Sequence, residues 1–399
     1  MRNHTEIAHI HQAAQIHLDS LDTSYLVVDL PALKARLEHL RGAMPNSVLH
    51  AIAIKTNPHP KVLEFLVNEG FGLEAASIEE VGLALQAGCP PAKLVFDSPV
   101  KTKNEIEQVA GQQGMLVNCN TLGELERYPS DFKGVLGIRV NPMLHTGSPE
   151  LFNVSENESK FGVPVAKHQD IIAAVLNYPV EALHMHSGSQ MSNLEAQKQA
   201  LQTLKSLADQ CNSALENAGE KRRIHTIDIG GGLPTEPLLV DSKMATYGAI
   251  VAGVFEGSSY QLVTEFGQWV HAEAGMAYST VEYVVEEEDH ARIFIHLGAD
   301  FFMRDAYTVA RPFPISVVEP HTSAFSPYDI AGPLCFAGDY LAKGIELPRM
   351  QEGMWLNIQH TGANCYALWS RHCSRSVPKL LAWNGHQMEV WSNRQEITF

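Results

Sequence analysis

Residues 49–97 read LHAIAIKTNPHPKVLEFLVNEGFGLEAASIEEVGLALQAGCPPAKLVFD, and short β-rich runs alternate in them with amphipathic segments. The runs Leu49–Ile54, Phe71–Ala75 and Leu94–Asp97 are typical of strands, while the segments between them carry apolar residues at helical spacing. The same alternation continues to about residue 266 and adds the runs Met115–Asn118, Val135–Val140, Ala182–His186, Thr226–Ile229 and Leu262–Glu265. This repeat predicts an α/β fold, a (β/α)8 TIM-like barrel.

The pattern changes after Gly275 to alternating strands. YSTVEYVVEEEDHARIFIHLG, residues 278–298, predicts a hairpin with EEEDH at its tip, and MWLNIQHTG and MEVWSN predict later strands. SYLVVDL at residues 24–30 precedes the first helix and can add a strand to the same domain. We therefore expect two domains: a barrel over residues 31–270, and a C-terminal all-β domain from residues 271–399 joined by residues 1–30.

Charge and composition exclude several classes of protein. The chain has 45 Asp and Glu against 29 Lys and Arg, a net charge of −16, so the basic surface of a nucleic-acid binder is missing. We find no signal-type apolar core and no uncharged apolar stretch of roughly 18 residues, which predicts a cytoplasmic protein without a membrane partner. The 6 cysteines form no C-x-x-C pair, as expected of reduced thiols.

The first strand ends at a lysine. In a (β/α)8 barrel, residues at the carboxyl ends of the strands face the active site, and AIAIKTN places Lys55 there. Partial desolvation should lower its pKa and make the neutral amine a nucleophile that can form a Schiff base. A surface lysine whose stem lies along apolar neighbours is the alternative.

The sixth strand ends in LHMHSGSQ, where His184 and His186 alternate onto one face. The two rings can be metal ligands. Equally, one ring can stack on a planar cofactor while Ser189 binds a phosphate. Buried barrel histidines without a ligand are the third interpretation.

The last two strands end in a Gly-rich turn and a carboxylate. DIGGGLP places Gly230, Gly231 and Gly232 where barrels commonly bind phosphate, although a tight turn also explains three glycines. LVTEFGQWV places Glu265 at the barrel mouth. There it can pair with a protonated ring nitrogen or form a structural ion pair.

Other segments add polar candidates. GIRVNP carries Arg139, GADFFMRDAY carries Arg304, and AGPLCFAGDYLA carries Cys335 and Asp339. A cysteine in a turn with Gly and Pro is more exposed than most, so it can serve in proton transfer. The irregular stretch Met143–Val165 is long for a connection in a barrel and is a candidate active-site loop.

As a set and in this order, the motifs resemble the fold-type III pyridoxal-phosphate-dependent decarboxylases, which include the diaminopimelate and ornithine decarboxylases. The resemblance runs from SYLVVDL to GANCYALWS. It implies pyridoxal 5'-phosphate as cofactor, no metal, a small amino-acid-type substrate, and a homodimer whose active sites are shared across the interface. It also implies the chemistry of a carboxy-lyase, in which loss of CO2 is followed by reprotonation at Cα.

The resemblance assigns roles to individual residues. Lys55 matches the Schiff-base lysine, His186 the ring that stacks on the cofactor, and Cys335 the proton donor at Cα, which the second subunit contributes. The implied cofactor contacts are Lys55, Glu74, Arg139, His186, Ser189, Gly230, Gly231, Gly232, Glu265, Gly267, Gln268 and Tyr366. The implied substrate contacts are Arg304, Cys335, Phe336 and Asp339, and SKFG at Ser159–Gly162 matches a family loop.

Departures from the family pattern bear on the substrate. The family's E-P-G-R is here EFGQ, so Gln268 replaces an arginine that pairs with phosphate, which predicts weaker cofactor binding. Phe336 follows Cys335 where diaminopimelate enzymes have an acidic residue, and Asn364 replaces the tyrosine of G-A-Y, with Tyr366 nearby.

The E-x-G-[RQ]-[FW] pattern also looks like decarboxylases of carboxylate-type siderophore biosynthesis, which act on amino acids joined to citrate. Arg304 lies where diaminopimelate enzymes hold a substrate carboxylate, so it suits an acidic tail. We therefore expect a decarboxylase of an amino acid or of a citrate-linked conjugate. Diaminopimelate, lysine or ornithine are the alternative substrates.

Three rival functions use the same barrel. An amino-acid racemase of the alanine-racemase type needs a second base, commonly tyrosine, and Cys335 in GPLC favours decarboxylation instead. A non-catalytic barrel that binds pyridoxal phosphate usually lacks the β domain. A metal-dependent hydrolase using His184 and His186 requires carboxylate or lysine ligands at other strand ends.

Overall fold

The computed structural model describes residues 2–395 except residues 157, 236–239, 287, 289, 305–311 and 320–323. The helices are α1 (His4–Gln15), α2 (Leu30–Ala43), α3 (Pro60–Asn68), α4 (Ile78–Gln86), α5 (Lys103–Val109), α6 (His168–Asn177), α7 (Leu194–Asn217), α8 (Val240–Val254) and α9 (Gln268–His271). The first ten strands are β1 (Ser24–Asp29), β2 (Leu49–Ala53), β3 (Gly72–Ala75), β4 (Leu94–Phe96), β5 (Leu116–Cys119), β6 (Val135–Asn141), β7 (Val163–Pro164), β8 (Val180–His184), β9 (Thr226–Asp228) and β10 (Gln261–Thr264). The remaining strands are β11 (Gly275–Glu286), β12 (Ala291–Ile295), β13 (Ile315–Val317), β14 (Phe325–Ala331), β15 (Tyr340–Pro348), β16 (Trp355–Gln359), β17 (Lys379–Trp383) and β18 (Met388–Ser392).

A closed parallel barrel confirms the predicted (β/α)8 fold. Its strands follow the order β5-β4-β3-β2-β10-β9-β8-β6, and β6 pairs again with β5 to close the ring. Each of the predicted runs overlaps one of these strands. Because the strands are buried almost throughout, they read as apolar runs. A small buried cluster joins residues of five of them: Ala51, Val95, Leu116, Ala182 and Val263.

Three of the crossover helices, α4, α5 and α7, begin at polar capping residues. The side chains of Ser77 and Asn193 cap α4 and α7, while Thr102 and Glu105 form a capping box at α5. Helix α7 is the long connection after β8, and its buried residues recur at helical spacing from Ala196 to Leu215. These caps fix where the three helices begin after their strands.

The chain divides into two compact units, Leu37–Trp269 and a second unit of residues 1–36 with 270–399. In the second unit, β1 lies between β11, to which it is antiparallel, and β17, to which it is parallel. Helix α1, which begins with a capping box of Asn3 and Glu6, packs Ile7, Ile10 and Ala14 into the same core. The C-terminal β domain predicted from sequence is therefore confirmed, with a helix in addition.

A histidine of α1 is enclosed by aromatic rings in this unit. His11 Nδ1 lies 2.8 Å from the Tyr25 hydroxyl, and its ring centroid lies 4.9 Å from that of Trp355 and 5.6 Å from that of Tyr278. Burial lowers the pKa of His11 to about 4. Across the described part of the chain, no helix combines the length and apolar character that a bilayer span requires.

Candidate active site

The carboxyl ends of the barrel strands bring together a cluster of charged side chains. Lys55 lies in the short 3-10 helix Ile54–Thr56 that directly follows β2, and Glu265 directly follows β10. The cluster is completed by Glu74 in β3, Asp97 after β4, Arg139 in β6, His184 at the end of β8, His186 beyond it, and Asp228 at the end of β9.

Lys55 donates a hydrogen bond from Nζ to Glu74 Oε2. The Glu74 side chain is fully buried, whereas 47% of the Lys55 side chain is exposed at the barrel mouth. Burial alone would lower the pKa of Lys55, but the carboxylates of Glu74, Glu265 and Asp97 outweigh it and raise the pKa above its usual value. The expectation of a lowered pKa is therefore wrong. The three carboxylates belong to different strands, so their convergence on Lys55 could not be predicted from the sequence.

His184 lies between two carboxylates. Its Nδ1 is 3.1 Å from Asp228 Oδ2 and its Nε2 is 3.3 Å from Asp97 Oδ2, and all three side chains are buried. Burial would lower the pKa of His184, but Asp228, Asp97 and Glu265 raise it well above its usual value, so the ring is an imidazolium. Asp97 also accepts a hydrogen bond from Arg139 Nη1 at 2.9 Å.

His186 differs from His184 in charge. The backbone N–H of Gly231 donates to His186 Nδ1 at 3.3 Å, so this nitrogen is an acceptor. Burial, together with the nearby Arg139 and Lys55, lowers the pKa of His186 well below its usual value. The 3.8 Å distance from His186 Nδ1 to Glu265 Oε2 is therefore not an ion pair, because the ring is neutral.

One side-chain oxygen of Glu265 has no hydrogen-bond partner among the described residues. The residue is 4% exposed, and its Oε1 is buried. Burial and the carboxylates of Asp228, Glu74 and Asp97 raise the pKa of Glu265 well above its usual value, while His184 lowers it. A buried acceptor of this kind at the barrel mouth fits a ligand that brings a hydrogen-bond donor.

The three consecutive glycines lie where side chains have no room. A Cβ on Gly230, Gly231 or Gly232 would come within 2.6, 2.5 or 1.9 Å of the carbonyl oxygens of Met185, Glu265 and Gly188. Gly230 N–H donates to Asp228 Oδ1 and Gly231 N–H to His186, so two of the predicted phosphate donors already have acceptors. The glycines thus hold the loops after β8, β9 and β10 close together.

Ser189 and Gln268 meet on this side of the site. Ser189 Oγ donates to Gln268 Oε1 at 3.3 Å, and Ser189 N–H donates to the carbonyl of Phe152 at 3.2 Å. Phe152 belongs to the irregular stretch 143–165, so this predicted active-site loop contacts the segment after β8. A Cβ on Gly267 would lie 2.6 Å from Thr56, next to Lys55, so the absence of a side chain lets these two segments approach.

The remaining predicted site residues belong to the second unit. Cys335 is exposed, Arg304 and Tyr366 are partly buried, and Phe336 lies against the backbone of Gly338. Asp339 is buried, and its carboxylate accepts 2.6 Å hydrogen bonds from the N–H groups of Ala299 and Leu334. These bonds hold the turn that carries Cys335.

The sequence analysis did not predict two residues of the site, Asp97 and Asp228. Asp97 ends one predicted strand, and Asp228 lies near the end of another. The rule that residues at the carboxyl ends of barrel strands face the active site would therefore also have selected them. Asp97, His184 and Glu265 each offer an atom within 4.8 Å of the others, a spacing that a metal ion can use. An imidazolium with a carboxylate at each nitrogen has no free lone pair, which argues against the hydrolase alternative.

Comparison with known proteins gives consistent results. A family model described as "Pyridoxal-dependent decarboxylase, pyridoxal binding domain" matches residues 30–272. Diaminopimelate decarboxylase from Pseudomonas fluorescens is 30% identical, covering 83% of this chain and 80% of its own length. The Helicobacter pylori J99 enzyme of the same name is 27% identical, covering 94% of each chain.

Solved structures share the fold. Diaminopimelate decarboxylase from Helicobacter pylori, complexed with L-lysine, has a TM-score of 0.85 at 23% identity and covers 97% of this chain and 96% of its own. Lysine/ornithine decarboxylase from Vibrio vulnificus, complexed with cadaverine, has a TM-score of 0.79 at 22% identity and covers 96% and 100%.

Proposed function

Because the chain belongs to the pyridoxal-dependent decarboxylase family, we propose that it removes the α-carboxylate of a diamino acid at the mouth of its barrel. It is a pyridoxal-phosphate-dependent carboxy-lyase that acts on an amino acid. One observation carries the assignment of the site: the buried Glu265 Oε1, which has no hydrogen-bond partner among the described residues, shares the barrel mouth with the Lys55 amine.

The residues of the barrel mouth suit the parts of the cofactor. Lys55 supplies a primary amine for the aldehyde, and Glu265 supplies an acceptor for the ring N–H. Ser189, Gln268 and the turn of Gly230, Gly231 and Gly232 would lie at the phosphate, and the neutral ring of His186 would stack on the pyridine. Glu74, Arg139 and Gly267 would line the site. When bound, pyridoxal phosphate withdraws the electron pair left at Cα by the departing CO2.

Glu74 acts on Lys55 in two ways: its charge stabilises the ammonium of Lys55, and its carboxylate is also an acceptor for the proton that the ammonium must lose. The ammonium of Lys55 must lose a proton before its nitrogen can attack a carbonyl carbon. Burial raises the pKa of Glu74, so this carboxylate can accept a proton at a pH where most carboxylates cannot. The hydrogen bond from Lys55 Nζ to Glu74 Oε2 gives that proton a direct path.

Cys335 is the proposed proton donor at Cα, acting from the second subunit of a homodimer. Two observations support an interface: the Cys335 thiol is exposed in the single chain, and Val100 and Leu151 at the barrel rim are 76% and 68% exposed.

Arg304, Phe336 and Tyr366 are proposed to complete the site. Asp339, whose carboxylate is taken up by backbone donors, would position the turn of Cys335 rather than contact substrate. Light scattering on the purified protein tests the dimer, and a monomer at micromolar concentration would contradict it.

Diaminopimelate is the first candidate substrate, since the relatives found by sequence comparison are diaminopimelate decarboxylases. A citrate-linked amino acid, as in siderophore biosynthesis, is the second candidate, and Phe336 favours it. An aromatic ring after Cys335 offers no carboxylate to the ammonium at the far end of diaminopimelate. A screen of CO2 release from diaminopimelate, lysine, ornithine and citryl conjugates decides between them, and turnover of citryl conjugates alone would reject the first candidate.

Borohydride trapping tests the cofactor site. Protein supplied with pyridoxal phosphate should absorb near roughly 420 nm, and borohydride should abolish this band and leave the cofactor attached to Lys55. Lys55→Ala should lose the band, while Lys61→Ala, which removes an exposed lysine from α3, should keep it. A reduced linkage found by mass spectrometry at another lysine would overturn the assignment.

A further inference from the structure

His184 has no part in the proposed function so far, although it is enclosed within the same site. Its side chain is fully buried, and each ring nitrogen faces a carboxylate, Asp228 at 3.1 Å and Asp97 at 3.3 Å. Neither ring nitrogen makes a hydrogen bond to a described residue, but the two nearby carboxylates favour the imidazolium, so His184 carries both ring protons. It is therefore a fixed positive charge beneath the barrel mouth.

The charges around it pair off with one group left over. Lys55 pairs with Glu74, Arg139 with Asp97, and His184 with Asp228. Among the described residues of the cluster, Glu265 is the carboxyl group that remains without a cation of its own. An oxygen of Glu265 lies within 4.8 Å of a His184 nitrogen, and His184 is the group that most favours the charged form of Glu265.

Glu265 must be charged to do what the proposed function asks of it. A carboxylate stabilises a protonated pyridine nitrogen, whereas a neutral carboxylic acid does not. Burial and the neighbouring Asp228, Glu74 and Asp97 all favour the neutral acid. We propose that His184 is a positioning residue whose positive charge favours the ionised form of Glu265 and thereby favours protonation of the bound pyridine ring.

Asp97 has a supporting role in this proposal. It receives Arg139 at 2.9 Å and faces His184 Nε2 with the same oxygen, Oδ2, so it links the two cations. On the other side, Asn118 Nδ2 donates to Asp228 Oδ2 at 3.2 Å and orients that carboxylate toward Nδ1. The titratable groups around His184 are thus the carboxyl groups of Asp97, Asp228 and Glu265, the cations Arg139 and Lys55, and the neutral ring of His186.

The test measures the ring nitrogen itself. This inference rests on the proposed cofactor contact of Glu265. Borohydride trapping in the wild type is therefore carried out first, and it establishes separately whether the cofactor binds at Lys55. Nitrogen-15 NMR of protein loaded with ring-labelled pyridoxal phosphate then reports whether the pyridine is protonated as the pH is raised. In His184→Asn, the pH at which the ring loses its proton should fall by about one unit, a tenfold change in proton affinity.

A matched control removes another buried histidine of the barrel. His50→Asn deletes a ring whose Nδ1 lies 2.8 Å from the Thr264 hydroxyl, and the ring-nitrogen titration should stay at the wild-type value. Equal titration in His184→Asn and wild type, with the Lys55 linkage intact, would overturn the inference and leave the proposed function standing.

A second variant keeps the inference testable if His184→Asn does not fold. Asp97→Asn preserves shape and removes one of the two charges that hold the imidazolium. In the protein without cofactor, nitrogen-15 signals of His184 should show loss of its ring proton at least about one pH unit below the wild type. An imidazolium that titrates unchanged in Asp97→Asn would reject the supporting role of Asp97, and a neutral His184 in the wild type would reject the whole inference.

Discussion

The Ser189 hydroxyl donates a hydrogen bond to the side-chain oxygen of Gln268 across 3.3 Å. Both residues lie on the side of the barrel mouth where the phosphate is proposed to bind. Gln268 occupies a position at which the resemblance implies an arginine. We therefore propose that the pair is a neutral substitute for a charged phosphate contact and that it weakens cofactor binding.

Gln268→Arg should tighten the binding of pyridoxal phosphate about tenfold, because a guanidinium forms charge-assisted hydrogen bonds to phosphate. Fluorescence titration of cofactor-free protein gives the dissociation constant. Gln210→Arg, on the exposed face of α7, adds the same charge away from the site and should leave the constant unchanged. An unchanged constant in Gln268→Arg would place the phosphate elsewhere.

Glu74→Gln should make Lys55 more reactive in the cofactor-free protein. Glu74 is foremost among the neighbours that raise the pKa of Lys55, so its neutralisation lets the ammonium lose its proton at lower pH. The rate of Lys55 acetylation at pH 8, followed by mass spectrometry, should rise about tenfold for each unit by which the pKa falls. Glu79→Gln on α4 is the control, and equal rates in both variants would contradict the prediction.

Cys335→Ala should slow CO2 release or product formation by about a hundredfold, the usual contribution of a positioned proton donor. Cys373 is also an exposed thiol of the second unit, so Cys373→Ala provides the matched control and should retain wild-type rates. Measurement in deuterated water adds a second readout, because the wild-type product should carry deuterium at the former Cα. A fully active Cys335→Ala enzyme would remove Cys335 from the mechanism.

His11 should make the β-rich unit less stable in mild acid. Burial lowers its pKa to about 4, while an unfolded histidine titrates near 6.5, so between these values the unfolded chain binds a proton that the folded unit does not. The stabilising contribution is complete above about pH 6.5 and is lost as the pH falls towards 4.

His11→Gln keeps a side chain that can reach the Tyr25 hydroxyl but does not titrate in this range. From pH 7 to pH 5, the loss in free energy of unfolding should be about 1 to 2 kcal/mol smaller than in the wild type. Urea unfolding at the two pH values measures this difference. His386→Gln, in an exposed turn, should behave like the wild type, and the same pH dependence in all three proteins would refute the prediction.

The sequence predicts the barrel well because each strand is a buried apolar run followed by a polar residue at the mouth. Lys55, His186 and Glu265 could be found one strand at a time in this way. The charge states could not be predicted, because they depend on groups that lie far apart in the chain. Glu74 and Glu265 raise the pKa of Lys55. His184 is charged because the carboxylates of Asp97 and Asp228 lie at its two ring nitrogens.

The placement of β1 between β11 and β17 has a consequence for how the chain folds during synthesis. Residues 24–29 are synthesised before the barrel, but both of their strand partners, residues 275–286 and 379–383, are synthesised after it. The contiguous barrel unit, residues 37–269, can fold while the rest is still being made, because domains generally fold as units. Strand β1 therefore has no strand partner until β11 is made, and its other edge stays unpaired until residues 379–383 follow.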